Sequence, residues 1–319
     1  MSADDAPQQA TDVAQARVLL IGIGAGDPDY VTTQAALAIR ELDVLFVVTN
    51  EEEQADLVHA RREVVDRYRD DDDYRTVELR DPDRPWKDTP HYADAVAHWR
   101  SQRVELWEAA LAEHLAPGQT GGFLIWGDPS LYESTLSIVA EVQARSTASF
   151  DYEVLPGVSS IHALTARHRI PLNRQGGAVQ ITPARLLGSG IPASANDVVV
   201  MLDPSTTFMR LDPTGLEIYW GAYLGTPDEL LIAGPLEQVR DEIVRVRAEA
   251  KERKGWIFDT YLIRRVLAER RTKASERRVR QVERRAGEIE RRSGHDRRAT
   301  KHVTTDYPPM PGGAEVQSL

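Results

Sequence analysis

Cysteine is absent from the 319 residues, which excludes a disulfide, a thiolate metal site and a cysteine nucleophile and fits a cytoplasmic setting. No apolar run approaches the roughly 20 residues that cross a bilayer, and residues 1–16 are polar and acidic rather than signal-like, so no membrane partner is expected. Aromatic residues make up only 7% of the chain, and none interleaves the arginines of residues 264–301. The stacking platform of a nucleic-acid groove is therefore missing, and no nucleic-acid partner is expected. Four acidic residues do stand together at Asp70 to Asp73, but neighbouring side chains in a loop rarely converge on one ion, and no metal site is expected there.

Positive charge is scarce in most of the chain. Residues 1–263 carry 24 basic and 42 acidic side chains, whereas residues 264–301 carry 15 and 6. Arginines alternating with Glu269, Glu276, Glu283, Glu288 and Glu290 predict a solvated, charged helix in the tail. Residues 1–16 read as a disordered leader.

What is present begins at Arg17, where RVLLIGIGAGDPDYVTTQAALAIRELDVLFVV reads as strand, glycine turn, helix and strand. Val18 to Ile23 form a continuous apolar run, the pattern of a strand buried on both faces of a parallel sheet. Thr32 is placed to cap the helix, with Ala35, Ala36 and Ile39 along one side. The glycines are spaced G-x-G-x-G and Asp27 follows, so the dinucleotide fingerprint G-x-G-x-x-G is not met, and the lysine of a phosphate-binding loop is missing. A ligand held by backbone groups at the strand end remains compatible with such glycines.

The same grammar recurs. In GGFLIWGDPSLYEST, the strand-like run Phe123 to Trp126 ends at Gly127, Asp128 and Pro129, and a helix is expected from Ser130. The strand Tyr152 to Leu155 ends at Pro156, Gly157, Val158, Ser159 and Ser160, with Ile161 and Leu164 facing inward on the next helix. Between these units, Gln54 to Tyr68 reads as a helix with Leu57, Val64, Val65 and Tyr68 inward, and Tyr92, Val96, Trp99, Leu106, Trp107, Ala110 and Leu111 pattern a long amphipathic helix. In open parallel sheets such turns gather on the carboxyl edge, so three of them point to one shared ligand site.

Beyond Arg167, strand-like runs at Ala178 to Thr182, Asp197 to Leu202, Glu217 to Leu224 and Leu230 to Ala233 predict a second α/β domain. A helix over Leu236 to Ala250, with Val239, Ile243 and Val246 on one side, closes it, and Gly255 to Arg265 is expected to run on into the charged helix. The boundaries implied are a leader 1–16, an α/β domain 17–157, a second α/β domain 158–263 and a tail 264–319.

The ordered set G-I-G-A-G-D-P, G-D-P-S-L-Y, P-G-V-S-S and G-T-P, spread over residues 17–263, resembles the tetrapyrrole methylase family. Longer runs such as W-G-D-P-S-L-Y-E-S-T, R-H-R-I-P-L-N-R and G-W-I-F-D-T-Y-L-I-R-R resemble its deacetylating branch in the oxygen-dependent cobalamin route. The resemblance implies two α/β domains with the active site in the cleft between them, usually in a homodimer, S-adenosylmethionine as methyl donor, and a tetrapyrrole substrate. For that branch it implies methyl transfer to C-1 of precorrin-5 with water-dependent loss of the neighbouring acetyl group as acetate. Donor contacts carry over to Ala25, Trp126, Gly127, Asp128, Leu131, Ser159, Ser160, Leu202, Gly225 and Thr226. Ala25 stands where many relatives have proline, and Leu202 where many have methionine.

Deacylation needs a group to orient water and a donor for the oxyanion. Asp27 is the candidate for the first, although it is equally placed to cap its own turn. Tyr132 is the candidate for the second. His162 and His168 follow a ligand-type turn and are weaker candidates to touch substrate. Among Arg167, Arg169, Arg174 and Arg185, which lie around the proposed domain junction, Arg174 and Arg185 are chosen to hold substrate carboxylates. Two alternatives stay open at this stage: a methylase of the same fold acting at another ring position, and a protein that senses cofactor or tetrapyrrole without turning it over.

Overall fold

A computed structural model of the chain describes residues 14–49, 55–83, 91–145, 150–188 and 190–266. The expected leader up to residue 13, the tail from residue 267, and the side chains of Leu57 and Tyr92 lie outside the described residues.

The first half alternates strand and helix: β1 (Ala16–Gly22), α1 (Thr33–Arg40), β2 (Val44–Thr49), α2 (Ala55–Tyr68), β3 (Arg75–Arg80), α3 (Tyr92–His114), β4 (Thr120–Ile125), α4 (Thr135–Arg145) and β5 (Phe150–Leu155). All five strands are parallel, in the order β3-β2-β4-β1-β5. The continuous apolar run of β1 is explained by its two covered faces. Val18 and Leu20 join a core with Trp107 of α3 and Ile138 of α4. Leu19 and Ile21 join another with Ile39 of α1 and Val64 and Val65 of α2. Trp107, fully buried, stacks on Phe123 at 4.7 Å, and Phe123 on Phe46 at 5.2 Å. Burying side chains of this size contributes about 1.5–3 kcal/mol each, which is what holds α3 against the sheet.

α4 begins at Thr135, five residues later than the sequence suggests. Asp128 closes a turn on Ser130 N at 2.9 Å, Tyr132 takes φ of +54°, and the Glu133 carboxylate then accepts from Ser134 N, Thr135 N and Thr135 Oγ1 at 2.7–3.0 Å. A left-handed tyrosine cannot continue a helix, and the glutamate supplies the missing acceptors at its start.

The second half comprises α5 (Ser160–His168), β6 (Val179–Pro183), β7 (Asp197–Met201), β8 (Leu216–Ala222), β9 (Leu230–Pro235), α6 (Leu236–Lys254) and β10 (Asp259–Arg265). Its sheet has the order β6-β7-β10-β8-β9 and is mixed: β6 and β7 run parallel, the remaining neighbours antiparallel. The segment expected to lead into the charged helix is instead the central strand of this sheet. Tyr261, Leu262 and Ile263 are fully buried. Arg264, in sequence the first residue of the basic tail, is buried against Asp197, its Nε donating to Oδ1 at 2.6 Å. Among the described residues no helix is long and apolar enough to cross a membrane.

Candidate active site

The carboxyl ends of β1, β4 and β5 are drawn together by glycines that have no room for a side chain. A Cβ on Gly22 would lie 2.6 Å from Gly157 N, and one on Gly157 only 2.1 Å from Gly127 O. Gly24 and Gly127 exchange backbone hydrogen bonds, Gly127 N to Gly24 O at 2.8 Å and Gly24 N to Gly127 O at 3.3 Å. Asp128 ties the β4 loop to the β5 loop: its Oδ2 accepts from Gly157 N at 3.0 Å, and its Oδ1 from Ser130 N and Ser130 Oγ. Burial pushes the Asp128 carboxyl up, but the hydrogen bonds from Ser130 and Gly157 and the nearby His162 outweigh it, so its pKa lies below the ordinary aspartate value.

A fourth loop closes the rim from the second sheet. Gly26 has φ of +142°, and a Cβ there would sit 2.6 Å from Leu224 O, 2.7 Å from Thr226 Cγ2 and 3.3 Å from the Trp126 ring. From the other side, a Cβ on Gly225 would meet Asp27 N at 2.7 Å. The turn itself is tied by Thr226 Oγ1 donating to Tyr223 O at 2.8 Å and by Gly225 N donating to Glu229 Oε2 at 2.8 Å. Beneath it lies an apolar seam in which Ala25 of the β1 loop is buried with Ile161, Leu164, Val199 and Leu224 of the second half, and Leu131 packs against it.

The structure thus gathers Ala25, Trp126, Gly127, Asp128, Leu131, Ser159, Gly225 and Thr226 around one rim. Ser159 caps α5, and its hydroxyl meets His162 Nδ1 at 2.8 Å; Ser160 is the first residue of that helix. Leu202 follows β7 with φ of +54° and is 60% exposed. An exposed leucine in the left-handed region costs roughly 1–2 kcal/mol. It is held there by the next residue, Asp203, whose buried carboxylate accepts from Ser205 N, Thr207 N, Thr207 Oγ1 and Tyr261 OH at 2.6–3.0 Å.

Asp27 caps the short 3-10 turn Pro28–Tyr30, Oδ1 accepting from Asp29 N at 2.9 Å, and its Oδ2 lies 3.8 Å from Arg167 Nη2. It lines an open hollow of about 630 Å³ with Gly26, Gly225 and Thr226. Tyr132 lines a different cavity, of about 430 Å³, with Trp126, Arg61, Asp81, Arg103 and Glu133. Trp126 lies between the two, its ring against Gly26. Burial raises the Tyr132 pKa, and the charge of Arg185 opposes the rise.

Two predicted positions lie elsewhere. Arg174 N donates to Asp197 Oδ2 at 3.3 Å and its guanidinium lies 3.9 Å from the same carboxylate. Asp197 opens β7 and Leu202 follows its end, so the strand's rise of about 3.3 Å per residue separates them by roughly 16 Å. His168 packs edge-on against Tyr219 and bonds Trp220 O through Nε2 at 3.0 Å, within the second sheet. Sequence reasoning missed Tyr30 and Glu229, both beside Arg167; the acid in the run G-T-P-D-E was the available signal for the latter. Among the described residues no group of three or more His, Asp or Glu is arranged to hold a metal ion.

Comparisons with known proteins bear on the family and the fold. A family model described as Tetrapyrrole (Corrin/Porphyrin) Methylases matches residues 17–240. A precorrin-6A synthase [deacetylating] from Sinorhizobium sp. is 44% identical over 249 residues, covering 78% of this chain and 95% of that protein. The crystal structure of a cobalamin synthesis related protein (CobF) from Corynebacterium diphtheriae superposes with a TM-score of 0.70 at 29% identity, over 80% of this chain and all of that one. A uroporphyrin-III C-methyltransferase from Thermus thermophilus, complexed with S-adenosyl homocysteine, shares the fold at a TM-score of 0.50 and 18% identity, over 78% of this chain and 98% of that one.

Proposed function

The chain belongs to the tetrapyrrole methylase family, and from that premise we propose that it is an S-adenosylmethionine-dependent C-methyltransferase of cobalamin biosynthesis. It methylates C-1 of precorrin-5 and releases the neighbouring acetyl group as acetate, giving precorrin-6A. The observation that carries the assignment is the 44% identity to a deacetylating synthase across 95% of that relative's length. The geometry supports it: four glycine turns converge on one rim, the arrangement that grips a ligand by backbone groups and leaves it aligned. The two sheets act as two domains, 17–157 and, because β10 runs on to Arg265, 158–265, with the active site in the crevice between them. A homodimer and a cytoplasmic setting belong to the same proposal, taken from the family resemblance.

The two half-reactions support each other. Water adds to the acetyl carbonyl; cleavage of the bond to C-1 expels acetate and leaves the electron pair on the ring carbon. That pair displaces the methyl group from the sulfonium in line, and S-adenosylhomocysteine departs. Methyl transfer needs alignment more than a strong base, and positioning alone supplies roughly 7–11 kcal/mol. The loops at Ala25, Trp126 to Asp128, Ser159 with Ser160, and Gly225 with Thr226 provide it, while Leu131 and Leu202 give the donor an apolar surface. Asp27 lines the hollow on the other side of Trp126 from Tyr132, so its Oδ2, 3.8 Å from Arg167, serves its own turn and that guanidinium rather than the carbonyl that Tyr132 faces. Tyr132 offers an oxyanion a phenol, which is protonated at neutral pH by its ordinary pKa of about 10. Arg185, in the short turn after β6, holds a substrate carboxylate.

Incubation of the purified protein with precorrin-5 and donor labelled in its methyl carbon tests the assignment. The product gains the label at C-1 and loses the acetyl group. A labelled product that keeps the acetyl group would instead identify a methylase of another ring position, and binding without any labelled product would identify a sensor.

A further inference from the structure

Resting on that assignment, we propose that Arg167 and Glu229 form a clasp across the crevice that seats the donor-binding loops on one another, acting as positioning residues rather than catalytic ones. Arg167, near the end of α5, donates from Nε to Glu229 Oε2 at 3.0 Å. Its Nη2 lies 3.8 Å from Asp27 Oδ2, and its guanidinium carbon 5.9 Å from the centre of the Tyr30 ring. The same Glu229 oxygen accepts from Gly225 N at 2.8 Å.

The partners come from both sides of the crevice. Asp27 and Tyr30 follow β1 of the first sheet, Gly225 and Glu229 follow β8 of the second, and one guanidinium touches both groups. The surfaces that it brings together are those where neither Gly26 nor Gly225 has space for a Cβ. A slip of a few tenths of an ångström would therefore reshape the hollow lined by Gly26, Asp27, Gly225 and Thr226. Arg167 is 40% exposed and Asp27 29%, and exposed ion pairs add little to folding. The planar fork fits one carboxylate while reaching toward a second and covering an aromatic ring, which a lysine cannot do. The contribution of the clasp is to loop registration.

Four variants of the full-length chain test it: Arg167→Leu, Arg167→Lys, Glu229→Gln and the Leu/Gln double. Calorimetry with S-adenosylhomocysteine is the readout, with thermal unfolding alongside. Arg167→Leu and Glu229→Gln each weaken binding about three- to tenfold, and the double is no worse than the poorer single because both act on one ion pair, the first removing it and the second taking its negative charge. Arg167→Lys recovers part of the loss. The KM for donor rises while that for the tetrapyrrole holds, and unfolding midpoints stay close to that of the parent. Glu229→Gln keeps an oxygen for Gly225 N, so it reports on the pairing even if the leucine variant folds poorly. Affinities within twofold of the parent in either single, or losses that multiply in the double, overturn the clasp. Failure of the parent itself to bind S-adenosylhomocysteine would sink the methyltransferase assignment instead.

Discussion

Gly157→Ala places one methyl group at the point where three loops touch. The new Cβ would lie 2.1 Å from Gly127 O, 2.8 Å from Gly22 C and 2.9 Å from Gly22 Cα, all of them backbone atoms of strand-end loops. Relief requires moving a loop by about an ångström, at the roughly 1–3 kcal/mol of an overpacked site. That movement also breaks the bond from Gly157 N to the Asp128 carboxylate, for which about 1.5–3 kcal/mol is typical. Stiffening of the unfolded chain returns about 0.4–1 kcal/mol. The net expectation is a loss of about 1.5–5.5 kcal/mol, or roughly 3–20 °C in unfolding midpoint for a chain of this size. Affinity for S-adenosylhomocysteine should fall at least about tenfold, since 1.4 kcal/mol suffices for that. Gly190→Ala is the control, because nothing lies within 4 Å of its added Cβ, and it should change stability by no more than about 0.5 kcal/mol. If Gly157→Ala melts and binds like the parent, the rim is not built by backbone contact and the reasoning fails.

Removing the phenol oxygen in Tyr132→Phe should slow acetate release by about 10²–10³-fold, the usual cost of one oxyanion donor, while binding of S-adenosylhomocysteine stays as it was; equal loss of both would assign Tyr132 to donor binding. Arg264→Leu strands the fully buried Asp197 carboxylate, and chemical denaturation should show a loss of about 3–5 kcal/mol with donor affinity preserved, because that cluster lies at the far end of β7. A loss of affinity matching the loss of stability would contradict this separation. Burial pushes the His168 pKa below the ordinary histidine value, despite the bond to Trp220 O. The unfolded chain therefore takes up a proton that the folded one refuses as pH falls through about 6.5, and stability declines there. His168→Gln should flatten that part of a stability-versus-pH curve, and an unchanged slope would show that the ring does not cause it.

Legibility in the sequence followed how local each signal was. The apolar runs of β1 and β4 announce strands covered on both faces because each residue's environment is set by its neighbours one and two positions away. The turns at Gly24, Gly127 and Gly157 are readable as tight strand-end turns for the same reason, and their meeting on one rim follows from parallel strand order. β10 was not readable: Tyr261 to Ile263 is short, and Arg264 and Arg265 look like the start of the basic run. Only the distant Asp197 and the carbonyls of Pro171 and Leu172 turn Arg264 into a buried residue. The placement of Arg174 is hidden for the mirror-image reason, since its partner Asp197 stands 23 residues on, at the opposite end of β7 from Leu202. Glu229 and Tyr30 gained significance only when two loops separated by some two hundred residues were laid together.

The central claim is that one site couples methyl transfer to loss of an acyl group. Its most direct test is the parallel quantitation of S-adenosylhomocysteine and acetate during turnover of precorrin-5 by the purified chain. Equal amounts of the two at every time point are predicted. S-adenosylhomocysteine accumulating without acetate would contradict the account.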